Sequence, residues 1–427
     1  MKARAAFLVV VWCLLLSTAA QAQSLPSAKP EEVGLSSEGL GKLTARLKAD
    51  IEKGVIPGAI VLVARHGKIA MFETIGMLNP ETKAPMTRDA IFRIYSMSKP
   101  ITSVAAMILF EEGKLALNEP VSKYIPQLGG LKVGVEKPDP SGGNPTLELV
   151  PSQRDMTIQD ILRHTSGLTY GFTGSSLVKK MYVDAKVSGD YPSNAELVER
   201  LGKLPLAYQP GTTWEYSYAT DVLGRVVEVV SDRSLLAFEK ARILDPLGMK
   251  DTSFYVTDKS KQDRIVEPFP NDRNIGVDAD FNDPRVTQKW ESGGGGMVST
   301  TMDYARFAQM LLNGGSLNGR RILGPKTVAF MTSDHVGTSI APGTAYIPGS
   351  GFGFGLGFAV RKDAGISPLA GSVGEFNWGG AGGTFFWIDP KEDIFVVFMM
   401  QSPKQRVPYR AVLKNMIYAA VTKPAAR

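Results

Sequence analysis

The 427-residue chain holds one cysteine and three histidines. Cys13 falls inside residues 1–22, which read as a secretory signal. Lys2 and Arg4 lead, an apolar run from Phe7 to Leu16 follows, and Ala20-Gln21-Ala22 sets cleavage after Ala22. The mature chain is then expected to lack disulfides, which fits a periplasm or a secreted fluid. The apolar run is too short for a membrane span, and no later run is long enough. His66, His164 and His335 show no metal-ligand spacing, so no metal site is expected. A Gly-x-Ser-x-Gly elbow is missing, which argues against an α/β-hydrolase. The excess of one charge sign over the other is small too. Without Lys2 and Arg4, the 48 basic residues become 46 against 42 acidic ones, a net charge of +4. With no basic block, nothing in the chain reads as a nucleic-acid site.

What is present is a globular composition, 44% hydrophobic and 21% charged, long enough for two subdomains. Its centre is Ile94-Tyr95-Ser96-Met97-Ser98-Lys99-Pro100. The strand-like run Ala90–Tyr95 delivers a serine to a helix start, and an apolar helix follows over 101–110. Positions i and i+3 on a helix share a face, with Cβ atoms roughly 5–6 Å apart. Ser96 and Lys99 therefore share a site. Pro100 fits a first turn, where its missing N–H is tolerated. Free N–H groups at the helix start favour negative charge beside Ser96. Serine needs a base to become a nucleophile, and a lysine partner supplies one route. A second match, Ser176-x-x-Lys179, lies in a Gly/Ser-rich stretch with no strand before it, and is set aside.

In chain order, a helix is expected over 38–53, strands over 58–64 and 68–73, and a turn at Arg65-His66-Gly67. Residues 126–153 and 170–192 read as loops. Thr157-x-x-Asp160 and Ser193-x-x-Glu196 open helices, and His164 reads as a structural hydrogen-bonding residue. Helices follow at 219–230 and 235–244. Gly293–Gly296 reads as a tight turn, since no Lys-Ser/Thr follows as a phosphate loop requires. Thr300-x-x-Asp303 opens another helix. Strands return at 353–360, 383–388 and 394–400, and an amphipathic helix over 407–421 closes the chain. Strands at both ends with helices between imply one sheet from the two chain ends and an inserted helical subdomain.

Two further stretches carry chemistry. In Trp214-Glu215-Tyr216-Ser217-Tyr218, a tyrosine is either core or, beside Lys99, a base. Asn377-Trp378-Gly379-Gly380-Ala381-Gly382-Gly383-Thr384 allows close backbone approach, and its N–H groups suit an oxyanion hole or a plain tight turn.

Ser96-x-x-Lys99, Tyr216-Ser217-Tyr218 and Trp378-Gly379-Gly380, in that order, resemble the serine β-lactamase and penicillin-binding-protein superfamily. The resemblance is closest to the class C-like branch with the family VIII carboxylesterases. His164–Leu168, Gln209-Pro210-Gly211, Asp221–Gly224 and Gly293–Asp303 extend it over about residues 30–420. It implies a β-lactamase-like fold, α/β plus all-α, with an antiparallel sheet flanked by helices. The α/β domain would take residues 23–120 and 291–427, and the mainly helical insert 121–290. The resemblance further implies Ser96 as acylated nucleophile, Lys99 and Tyr216 as the base system, and the N–H groups of Ser96 and Ala381 as the oxyanion hole. Tyr218, Trp378, Gly379 and Gly380 would contact substrate. The β-lactamase pattern has Asn where Tyr218 stands and Lys or His where Trp378 stands; both departures match the esterase branch. The expectation is a periplasmic or secreted serine carboxylesterase for small acyl esters, needing no cofactor. A β-lactamase, a D-alanyl-D-alanine carboxypeptidase or D-aminopeptidase-like enzyme, and a non-catalytic binding protein are the alternatives.

Overall fold

A computed structural model describes residues 25–275 and 282–425. The expected signal segment, with Cys13, lies outside the described residues. Eight strands build the main sheet: β1 (Gly58–Arg65), β2 (Lys68–Asn79), β3 (Ala84–Pro85), β4 (Phe352–Phe354), β5 (Ala359–Arg361), β6 (Phe376–Gly379), β7 (Phe385–Asp389) and β8 (Ile394–Met400). Their order is β4-β5-β6-β7-β8-β1-β2-β3, so the late strands dock on the early ones at the β8–β1 seam. Every pairing is antiparallel.

The seam explains why β1 and β8 are apolar without alternation. Both are buried along their whole length, so both faces need apolar side chains. Ala59 pairs with Met400, Val61 with Phe398 and Val63 with Val396. This face packs under α1 (Ser37–Glu52) and the closing helix through Leu40, Leu43, Leu47, Leu413 and Ile417. One residue along the strand, Ile60, Leu62, Phe395 and Val397 join the larger core on the other face. That core holds α2 (Ser98–Glu111), α3 (Ala219–Ser231) and α4 (Thr301–Leu312); the closing helix is α5 (Arg406–Ala419). Residues 98–109 of α2 are buried all round, as befits a helix through the middle of a core. Gly113 at φ +68° ends it.

The structure corrects several expectations. Residues 126–153 are not all loop: Lys132–Lys137 and Thr146–Pro151 pair as an antiparallel hairpin. Most of its side chains face water, so it lacks the apolar pattern that marks a strand. Residues 170–192 contain the helix Leu177–Asp184. The single strand expected over 353–360 is the hairpin of β4 and β5, turned at Gly357 with φ +100°. The strand before Ser96 is short, Ile91–Arg93, and pairs with Val298–Thr300 outside the main sheet. Among the described residues, 121–290 add no strand to that sheet.

Candidate active site

The loop carrying Ser96 is held from both sides. Ile94 N–H donates to the Met297 carbonyl at 3.0 Å. Ser98 Oγ donates to the Tyr95 carbonyl at 2.6 Å and accepts from Met297 N–H at 3.1 Å. Tyr95 sits at φ +43°, a strained setting for an aromatic residue. The chain then makes one 3₁₀ turn, Tyr95–Met97, before α2 begins. Ser96 thus lies just ahead of the helix rather than on it, at the edge of a cavity of about 480 Å³.

Two side chains reach Ser96. Tyr216 Oη lies 2.6 Å from Ser96 Oγ, and Lys99 Nζ lies 3.3 Å from the same oxygen. Lys99 is 1% exposed. Its Nζ also donates to the Gly294 carbonyl at 2.6 Å and to Tyr170 Oη at 3.3 Å. Three acceptors are the full complement of an ammonium group. Nζ also stands 4.5 Å from the Tyr216 ring centroid, a cation–π contact. Burial raises the Tyr170 phenol well above its usual value, so it stays neutral beside Lys99.

Aromatic packing fixes Tyr216. Its ring stacks on Trp214 and contacts His164 at 5.0 Å and Trp378 at 5.6 Å between centroids. Burial, then the charge of Lys99, holds His164 well below its usual value. This neutral ring sits 3.4 Å from Ser217 Oγ and packs the back of the site.

The glycine run Gly293–Gly296 is more than the expected tight turn. The run also supplies the carbonyl that holds Lys99. Asp221 on α3 accepts from Ser292 Oγ at 2.5 Å and from Gly294 N–H at 3.2 Å. A Cβ at 294 would lie 2.3 Å from Asp221 Oδ2, so only glycine fits. Burial raises the Asp221 carboxyl and Lys99 opposes the shift. Tyr170 was missed as well; it follows His164–Leu168 by two residues, and that stretch was its only signal.

The expected substrate contacts divide. Tyr218 lines the cavity, its ring edge-on to Tyr170 at 4.5 Å and its hydroxyl donating to Ser188 Oγ at 3.1 Å. Trp378, Gly379 and Gly380 do not line it. Trp378 is 4% exposed and backs Tyr216 and Phe354. A Cβ at Gly380 would come 2.3 Å from the Ile94 carbonyl, so this glycine lets β6 approach the Ser96 loop. Gly379 faces Arg410. The segment therefore braces the site from behind. Ala381 does reach the cavity. Among the described residues, the N–H groups of Ser96 and Ala381 donate to nothing else.

Tyr170, Phe172, Tyr191, Phe254 and Trp290 complete an aromatic wall. No lysine or arginine lines it among the described residues, whereas Asp190 and Asp221 do.

The Beta-lactamase family model matches residues 43–418. The chain belongs to the Beta-lactamase family. Protein Rv1367c of Mycobacterium tuberculosis is 36% identical over 366 residues, 84% of this chain and 88% of that one. Esterase EstB of Burkholderia gladioli is 30% identical over 404 residues, 88% of this chain and 95% of its own. The structure of EstCE1, a hydrolase with promiscuous acyltransferase activity, superposes with a TM-score of 0.72 at 28% identity. That match covers 90% of this chain and 99% of the other. Membership of the Beta-lactamase family accounts for the antiparallel sheet flanked by helices, and the esterase relatives support a hydrolase.

Proposed function

We propose that the chain is a serine carboxylesterase working through an acyl-enzyme on Ser96. The observation that carries this reading is the 2.6 Å contact between Ser96 and Tyr216 at the edge of an aromatic cavity. Lys99, with three acceptors around Nζ, stabilises negative charge on Tyr216 rather than taking the serine proton itself. With Tyr216 as the phenolate, Ser96 Oγ bonds to the ester carbonyl carbon as its proton passes to Tyr216 Oη. The N–H groups of Ser96 and Ala381 receive the oxyanion. The C–O bond to the alcohol breaks, and the alcohol leaves with the proton from Tyr216. Water then attacks the acyl-enzyme, gives a proton to Tyr216, and frees the acid as Ser96 regains it.

An aromatic wall with two aspartates and, among the described residues, no lysine or arginine favours a neutral ester over an anionic β-lactam. Tyr218 cannot offer the two-sided amide chemistry of the Asn in the β-lactamase pattern. That missing amide, and the missing cation where Trp378 replaces the pattern's Lys, cost about 1–3 kcal/mol each, together about 30-fold or more. The test is the ratio of kcat/KM for p-nitrophenyl butyrate and nitrocefin on one preparation. A ratio near one, or one favouring nitrocefin, replaces the esterase reading with the β-lactamase one. The signal-like residues 1–22 support export to the periplasm or beyond; among the described residues no helix is long and apolar enough to cross a membrane.

A further inference from the structure

Behind the site lies a buried acid that the proposed chemistry leaves unused. Glu239 ends the short helix Leu235–Glu239, where the chain passes into a π-helical turn, Lys240–Leu244. π-helical turns are rare and frequently fall at functional sites. Glu239 is fully buried. Its Oε1 lies 2.9 Å from Thr102 Oγ1, and Thr102 Oγ1 lies 3.2 Å from the Gly293 carbonyl. Among the described residues Oε2 has no partner.

The protons decide the arrangement. Thr102 has one hydroxyl proton, and the Gly293 carbonyl only accepts. If Glu239 were ionised, two acceptors would compete for that proton and one contact would be lost. Both contacts hold together only when the carboxyl itself donates to Thr102 Oγ1. The surroundings agree. The charges acting on Glu239 are Glu291 and Glu228 of α3, both negative. From α2, Lys99 is spent on Gly294, Ser96 and Tyr170. On its own element, Lys240 turns to Asp245 at 2.5 Å and Arg242 to Glu112. Burial, aided by Glu291 and Glu228, pushes the Glu239 carboxyl up to about 8.

Gly293 is wedged where Thr102 points. A Cβ there would lie 2.9 Å from both Thr102 Cγ2 and the Thr220 carbonyl. The next carbonyl along the chain, that of Gly294, holds Lys99. We infer that Glu239, carrying its proton, is a positioning residue: it orients Thr102, which fixes Gly293 and so the carbonyl that holds Lys99. This rests on the proposed Ser96 chemistry, and it adds a control 3 residues along α2 from the lysine. Thr102 and Glu239 touch no reacting atom; they act through the glycine run.

The experiment compares the pH dependence of kcat on p-nitrophenyl butyrate for the wild type, E239Q, E239L and T102V, with spontaneous hydrolysis subtracted. In E239Q the amide N–H donates to Thr102 at every pH. Wild-type kcat should fall on an alkaline limb near pH 8. E239Q should keep most of the neutral-pH kcat, with its limb moved up by about one pH unit or more. E239L and T102V should lose about tenfold in kcat, with KM changed much less. Superimposable limbs for wild type and E239Q overturn the inference. So does an E239Q variant as impaired as E239L. Stability gives a reading that needs no activity. A carboxyl raised on folding stabilises at low pH and loses that contribution as pH rises through its folded value. Wild-type Tm should therefore drop relative to E239Q as pH rises from about 5 to about 8, and change little above that. A flat Tm difference overturns the inference even if esters are hydrolysed. A falling Tm difference in a protein that cleaves no ester supports the protonated Glu239 and sinks the esterase reading instead.

Discussion

The chain contains the pattern Ser-x-x-Lys twice at helix starts, and the structure gives the two copies opposite fates. Ser176 stands in extended backbone as the N-cap of the helix Leu177–Asp184, and its Oγ accepts the Lys179 N–H at 3.0 Å. Lys179 Nζ turns away to Glu215 at 2.7 Å and to Thr344 Oγ1 at 2.8 Å. Ser96 caps nothing. The left-handed Tyr95 and the 3₁₀ turn set it ahead of α2, where its Oγ meets Tyr216 and Lys99. Spacing brings serine and lysine together in both copies. The backbone that enters the helix decides whether the serine caps it or faces a cavity.

The sharpest way to break this comparison is to remove each serine. Ser96→Ala should lower ester turnover on the order of 10³-fold or more. A fluorophosphonate should add its mass to the peptide holding Ser96, and an adduct on Ser176 would reverse the assignment. Next in size is Tyr216→Phe, which removes one hydroxyl from a ring held by Trp214 and His164. The variant should fold normally and lose about 100-fold or more in kcat. Combined with Lys99→Ala, the loss should fall well short of the product of the single losses, because the two act as a unit. Near-normal turnover in Tyr216→Phe would mean that Lys99 acts alone as the base or that the water is activated elsewhere.

The comparison also shows what a sequence can carry. Ser96 and Lys99 were legible because i and i+3 meet locally, and β1 and β8 because unbroken apolar runs demand burial on both faces. The grip on Lys99 was not legible. Gly294 lies 195 residues further on, and a carbonyl carries no side-chain signature. Trp378 was misread for a different reason. On β6, Phe376 and Trp378 are buried while Asn377 and Gly379 are half-buried, and sequence alone does not say which face meets the cavity. The exposed hairpin at 132–151 escaped because neither strand buries an apolar face.

Lysine 179 should matter to stability where Lys99 matters to chemistry. Lys179 is 3% exposed and Glu215 is 1% exposed, and the carboxylate also accepts from Thr169 Oγ1 at 3.1 Å and Ala345 N–H at 3.2 Å. Lys179→Met leaves that carboxylate buried without its cation, a cost of about 3–5 kcal/mol. Denaturant unfolding should show the loss, and Glu215→Gln in the same chain should recover part of it. A larger effect on kcat than on unfolding would place Lys179 in the reaction.

The smallest expected effect completes the contrast. Ser176→Ala removes a cap from an eight-residue helix. The Lys179 N–H loses its side-chain acceptor, which costs about 1 kcal/mol. The ion pair with Glu215 does not depend on the serine hydroxyl, so Lys179 Nζ keeps its place. The first turn of the helix also packs on Gly171, next to Phe172 in the cavity wall: a Cβ at Gly171 would lie 3.2 Å from the Lys179 carbonyl oxygen. Fraying of the first turn should therefore appear as a modest rise in KM with kcat unchanged. Ser176→Asp retains a strong capping group and should restore both stability and KM. If Ser176→Asp instead behaves like Ser176→Ala, the hydroxyl does something other than capping, and the two Ser-x-x-Lys copies differ less than their geometry says.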